Sequence, residues 1–196
     1  PIDFLDGGIC MEQSDEKILL YTGTLDARYG IVTLLRAFMM LKNPSYRLVI
    51  CGDGDFRNTV LECVKMDNRV SYKGQLPREE ILVLQQKATL LINPRTSEGE
   101  FTKYSFPSKT IEYLASGTPV LLYKLAGIPD EYYEYCFTME DNSDEALSKK
   151  IDEILNMDRA VLRSLGMRAR KFILTEKSPK NQCKKLVDLI ERIVES

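Results

Sequence analysis

Six short apolar runs, each closed by turn residues and separated from the next by a stretch with helical spacing, constrain this chain more than any other feature. Residues 17–22 (KILLYT), 46–51 (YRLVIC), 69–73 (RVSYK), 88–93 (ATLLIN), 119–123 (PVLLY) and 135–139 (YCFTM) read as strands buried on both faces. Between them, Val32, Leu35, Ala37, Phe38 and Leu41 mark one apolar helix face and Val60, Cys63 and Val64 a second. Ile81, Leu82 and Leu84 mark a third, and Ile111, Leu114 and Ala115 a fourth. Strands alternating with helices predict a Rossmann-like α/β fold, a parallel sheet of about six strands with right-handed crossovers. From about residue 143 the pattern is purely helical, with breaks at Asn156-Met157-Asp158 and Ser178-Pro179, so a helical C-terminal segment is expected to close the domain. Residues 1–16 carry Gly7-Gly8 and little periodicity. They are expected to be an interdomain linker entering from something upstream, with 17–196 as the domain itself.

Composition narrows the chemistry. The 27 Lys and Arg against 29 Asp and Glu give a formal net charge of −2, which supplies no field suited to nucleic acid or an anionic membrane. The 5 cysteines are scattered, with no C-x-x-C pair, so neither a disulfide framework nor a zinc site is indicated and a reducing cytoplasm is the expected home. No apolar run reaches the roughly 18 residues of a membrane span. There is no histidine. That removes Ser-His-Asp and Cys-His nucleophile pairs and every His-ligated metal site. Carboxylates, cations and backbone dipoles remain, and no metal or cofactor is expected.

In an open parallel sheet, ligands sit beyond the carboxyl ends of the strands. The loops expected there read TGTLDARYG, CGDGDF, KGQLP, NPRTSEGEFTKYSFPSK and KLAGIPDEY. Their glycines permit tight turns and close backbone approach. No G-x-G-x-x-G is present, which argues against a nicotinamide dinucleotide site. Asp53-Gly54-Asp55 has two readings: a D-x-D pair holding a metal-nucleotide, or, the favoured one, acids at the start of a helix beginning near Phe56. The segment 106–112 is more specific. Pro107 at a first helical position leaves the amides of Ser108 and Lys109 at a positive helix end, an anion seat to which Lys109 adds a full charge. Glu112, three residues on, can accept hydroxyl hydrogens from a ribose, or simply pair with Lys109 on the surface.

The order TGTLDARYGIVTLLRAF, LVICGDG, VSYKGQLPREEI, ATLLINP, FPSKTIEYLASGTPVLLY resembles the C-terminal, donor-binding domain of family 4 glycosyltransferases of the GT-B fold, from Lys17 to about Pro129. The resemblance implies half of a GT-B fold that binds a nucleotide-diphosphate sugar. Transfer would retain configuration, need no metal and deliver to a glycan or lipid-linked acceptor held by a missing N-terminal domain, which would also carry any membrane association. Glu112 falls on the second of the family's two glutamates, the ribose-binding one. Tyr104 occupies the first, with Glu98 and Glu100 nearby as replacements and Glu100 the nearer. Phe106 matches the aromatic between them. The family's two cations after the first strand are missing, and Arg28 is the expected surviving one. With Lys109 it would stabilise the leaving diphosphate. Gly23, Thr24, Gly52 and Ser108 would line the donor site, and Gln75 and Leu76 would contact the base. A nucleotide-sugar 2-epimerase is disfavoured by the lack of histidine, and a non-catalytic α/β binding module remains as the alternative. The base, sugar and acceptor are open.

Overall fold

The computed structural model describes residues 15–96, 106 and 108–194. The glutamates Glu98 and Glu100, and Tyr104 at the family's first-glutamate position, lie outside them, as do residues 1–14 of the expected linker.

Strand β1 (Lys17–Thr22) leads through a 3-10 turn (Ala27–Tyr29) into α1 (Ile31–Met40), and the chain continues β2 (Tyr46–Cys51), α2 (Arg57–Met66), β3 (Val70–Tyr72), α3 (Arg78–Lys87), β4 (Leu90–Asn93), α4 (Ser108–Ser116) and β5 (Val120–Tyr123). A second 3-10 turn (Asp130–Tyr135) precedes β6 (Phe137–Met139), and α5 (Asp144–Leu155), α6 (Arg159–Glu176) and α7 (Pro179–Val194) follow. All six strands are parallel, in the order β3-β2-β1-β4-β5-β6. The predicted α/β sheet and helical tail are therefore present.

Alternate side chains of β1 feed opposite faces. Leu19 and Tyr21 join α1, α2 and α5 through Leu34, Phe38, Val60 and Ile151, while Leu20 joins α3, α4 and α6 through Leu84, Tyr113, Leu114 and Ile173. The second layer is locked where α6 crosses the α4–β5 turn. A Cβ on Gly166 would lie 2.1 Å from the Gly117 carbonyl oxygen, and Arg170 donates to the Ala115 carbonyl at 2.9 Å, meeting an orphan acceptor at the end of α4.

The order reverses direction between β1 and β4, whose chains leave to opposite faces of the sheet and open a crevice at their carboxyl ends.

One expectation at the strand ends is corrected. Neither Asp53 nor Asp55 caps α2. The N-cap is Phe56, without a side-chain bond, and Asp53 turns back to accept from the Gly54 amide at 2.9 Å. The reason is that the loops after β1 and β2 are joined by backbone bonds, Leu25 N–H to the Asp53 carbonyl and Phe56 N–H to the Leu25 carbonyl, both 2.9 Å, which fix the entry to α2 without help from a carboxylate.

Candidate functional site

A cleft of about 290 Å³ opens at the β1/β4 crevice, walled by Thr22, Gly23 and Thr24 after β1, Asn93 and Arg95 after β4, and Phe106, Ser108 and Lys109 entering α4. Tyr21, Tyr29, Ile92 and Tyr113 complete it. Of the residues singled out in the sequence, Gly23, Thr24, Phe106, Ser108 and Lys109 therefore come together.

Lys109 is the centre of this arrangement. Its ammonium donates to the Thr22 carbonyl at the last residue of β1, the same oxygen that accepts from the Tyr113 hydroxyl at 3.1 Å. Tyr113 is wholly buried and also bonds the Thr22 amide at 2.9 Å, so α4 is pinned to the end of β1 by one tyrosine. Burial holds the Lys109 ammonium below the ordinary lysine value, with Glu112 and Cys51 acting the other way. A Cβ on Gly23 would stand 2.8 Å from Lys109 Nζ, so glycine is what allows the ammonium to lie against the β1 loop. Because α4 starts at Ser108, its first amides lack helical partners and their partial positive charge adds to that of Lys109.

Arg95 was not singled out by the sequence, and it lines the same cleft. It is 7% exposed, with its guanidinium 5.8 Å from the Tyr29 ring centre. The only signal available was its position just past β4, and strand order is what brings that position beside β1. Arg28 does not wall the cleft. It lies at the rim, its side chain 68% exposed, in a bidentate pair with Asp26 (Nε to Oδ1 at 3.0 Å and Nη2 to Oδ2 at 2.6 Å), which lowers the Asp26 carboxyl to about 2.

The Lys109–Glu112 pairing that the sequence left open does not occur. Glu112 Oε1 accepts from Gln85 Nε2 on α3 at 2.7 Å. Gly52 lies behind the β1 loop. Its φ of +135° is one that only glycine adopts readily, a Cβ there would meet the Gly23 carbonyl oxygen at 1.8 Å, and its amide donates to the Gly74 carbonyl at 2.8 Å. That bond places the turn carrying exposed Gln75 and half-buried Leu76 next to the β2 end.

Phe106 continues away from the cleft as an edge-to-face contact with Tyr132 (5.1 Å between centres), which meets Phe172 of α6 in the same manner at 5.3 Å. Burial pushes the Cys51 thiol up to about 11 and that of Cys136 to about 12, so neither is a poised nucleophile. Among the described residues no group of three or more Cys, Asp or Glu is placed to hold a metal ion, and no helix is long and apolar enough to cross a membrane.

A parallel sheet with a cationic crevice at its switch point is shared by many nucleotide-binding proteins, and comparison with known families decides among them. The family model described as glycosyl transferases group 1 matches residues 11–172. The chain belongs to this family. An O-antigen chain mannosyltransferase B of Escherichia coli is 26% identical over 163 residues, 78% of this chain and 41% of that protein. Among solved structures, sucrose-phosphate synthase from Thermosynechococcus elongatus superposes with TM-score 0.72 at 26% identity, covering 92% of this chain and 46% of the other. Anabaena HepE in complex with UDP gives TM-score 0.73 at 15% identity, covering 91% and 49%. The chain spans less than half the length of the curated relatives it matches, from 29% to 45%. Within the group 1 glycosyl transferases, then, it corresponds to a C-terminal-type domain of the GT-B fold, as the resemblance implied.

Proposed function

We propose that this chain is the donor-binding half of a glycosyltransferase and seats the diphosphate of a nucleotide sugar in the cleft between β1, β4 and α4. The observation that carries the reading is Lys109: a half-buried ammonium at a helix N-terminus, lining one cleft with the buried cation Arg95, in a chain whose net charge is negative. Two cations and a helix end in one crevice suit a diphosphate. Its developing charge on departure is what such preorganised groups stabilise. Arg95, which walls the cleft, takes the place first given to Arg28, which lies exposed at the rim. From the cleft, the ribose would run toward Glu112 and the base toward the Gln75-Leu76 turn beyond β3. That HepE was crystallised with UDP in the same fold supports a nucleotide of this kind.

Transfer is proposed to retain configuration and to need no metal, by the family resemblance. The sugar is taken to be a hexose, which the mannosyltransferase relative supports, and the acceptor a glycan or lipid-linked glycan. A cleft of about 290 Å³ is small for a whole nucleotide sugar, since small-molecule sites run from about 300 to 1,000 Å³. The remainder of the site would come from an acceptor domain preceding residues 1–16, so the isolated chain binds donor weakly and transfers little. The cytoplasm is the proposed compartment.

The test is a thermal-shift series on the 196-residue chain with UDP, GDP and ADP, each beside its nucleoside. One diphosphate should raise the melting temperature while its nucleoside does so far less. Stabilisation follows RT ln(1 + [L]/Kd), so even a site of about millimolar Kd registers at tens of millimolar ligand. Equal shifts for a diphosphate and its nucleoside would remove the phosphate seat. Shifts for none would favour a non-catalytic module.

A further inference from the structure

Gln85 is wholly buried on α3, where the flanking inward residues Ile81 and Leu84 are apolar and pack into the second core layer. Its Nε2 donates to Glu112 Oε1 at 2.7 Å, while its own Oε1 has no hydrogen-bond partner among the described residues. Burying an amide with one end unpaired costs stability, and an apolar side chain of the same length would avoid that cost. The tie between α3 and the entry to β5 does not need the amide either, because Thr118 Oγ1 donates to the Gln85 backbone carbonyl at 2.6 Å. What the side chain achieves is the placement of one carboxylate.

That placement has an evident competitor. Lys109 and Glu112 are three residues apart on one helix, the spacing at which opposite charges pair. The attraction between them is present, since Glu112 acts on the Lys109 ammonium electrostatically. A carboxylate free to rotate would swing to the ammonium and neutralise the anion seat. Instead the ammonium reaches the Thr22 carbonyl and the carboxylate is held by Gln85 of α3.

We propose that Gln85 is a positioning residue for donor recognition, holding the Glu112 carboxylate apart from Lys109 and presented to the hydroxyls of the donor's ribose. This rests on the donor-binding reading above, and its test separates the two. Gln85→Met keeps length and volume but removes both the donor and the unpaired carbonyl. Calorimetry on the full chain compares UDP, GDP and ADP with the 2′,3′-dideoxy counterpart of each, and inorganic pyrophosphate serves as a probe of the phosphate seat alone. The wild-type chain should prefer the ribose form of its nucleotide by about tenfold. Gln85→Met should melt at or above the wild-type temperature and lose that preference to within about twofold, with no further loss in the Gln85→Met/Glu112→Gln double variant. Pyrophosphate affinity should fall in Gln85→Met, because the released carboxylate closes on Lys109, and recover when Glu112→Gln is added.

No ribose preference in the wild-type chain would overturn the role of Glu112 and this inference with it. A wild-type preference retained in Gln85→Met would overturn this inference alone. Gln85→Leu is the second variant, and failure of both to fold would mark Gln85 as a structural residue and overturn the proposal.

Discussion

Lys109 binds its environment in two opposed ways, and pH separates them. Burial disfavours its charged form, so the ammonium loses its proton below the ordinary lysine value of 10.5. In that window the folded chain holds fewer protons at Lys109 than the unfolded chain, so this residue's contribution to stability rises with pH. Anion binding has the reverse sign, because the charge that attracts phosphate disappears as pH rises through the same lowered value. Pyrophosphate affinity should therefore decline between neutral pH and 10.5, earlier than an unburied lysine would dictate. Arginine stays charged to above about pH 12, so Lys109→Arg should flatten the decline. Calorimetric titrations at several pH values check this, and an equally steep decline in Lys109→Arg would assign it to another group. Asp26 will not be that group, since its carboxyl, lowered chiefly by hydrogen bonds from Arg28, has already ionised far below neutrality.

Between residues and molecule, the loops after β1 and β2 act as one unit, and two of its glycines should fail differently. At Gly52 a Cβ would strike the Gly23 carbonyl oxygen at 1.8 Å from a backbone at φ +135°, and neither group can move without parting the loops. Gly52→Ala should cost about 2–4 kcal/mol of folding stability, measured by urea denaturation. At Gly23 the nearest obstacle is the flexible tip of Lys109, 2.8 Å away, so Gly23→Ala should keep its fold and lose pyrophosphate affinity. The opposite ranking would show that the β1 loop, not the β2 loop, is the rigid member. Elements of this kind differ in how legible they were. β1 and β2 match their apolar runs end to end, because strands buried on both faces leave little else in the sequence. The run 88–93 begins early since Ala88 is the C-cap of α3, with its amide bonded to the Leu84 carbonyl, and Thr89 uses its hydroxyl to accept from Ile18 N–H. Gln85 was invisible because a polar residue in an apolar row reads as the exposed edge of the helix. Arg95 was invisible because its partners are made by the adjacency of β1 and β4, a fact of strand order rather than of neighbouring residues. The 3-10 turn Asp130–Tyr135 was also missed, as it is held by contacts through space, Tyr132 between Phe106 and Phe172.

At the scale of the whole molecule, the sheet and six of its helices form two packed layers, and α7 stands partly outside them. Leu162, Gly166, Ala169, Phe172 and Ile173 of α6 are buried, most of them in the cores on either side of the sheet. On α7, by contrast, Val187, Ile190 and Ile193 are 50%, 52% and 65% exposed. The junction is polar: Asn181 bonds the Thr175 carbonyl, and Gln182 Nε2 donates to the Glu176 carbonyl at 2.7 Å, both at exposed positions. Exposed hydrogen bonds beside exposed apolar side chains mark an element of low local stability. A chain ending at Lys177 should therefore melt within about 4 °C of the full one, since in a protein of this size about 1 kcal/mol shifts the midpoint by roughly 2–4 °C. It should also bind nucleoside diphosphate unchanged, because Lys109, Arg95 and Glu112 are positioned by β1, β4 and α3, with no contribution from α7 among the described residues. Lys177 is kept in the shortened chain because its ammonium lies over the rings of Tyr132 and Phe172, at 5.2 and 5.3 Å, and closes the aromatic path that begins at Phe106. A midpoint lower by more than about 10 °C would mean that α7 covers α6 more firmly than its exposed apolar residues indicate, and would make it part of the folding core.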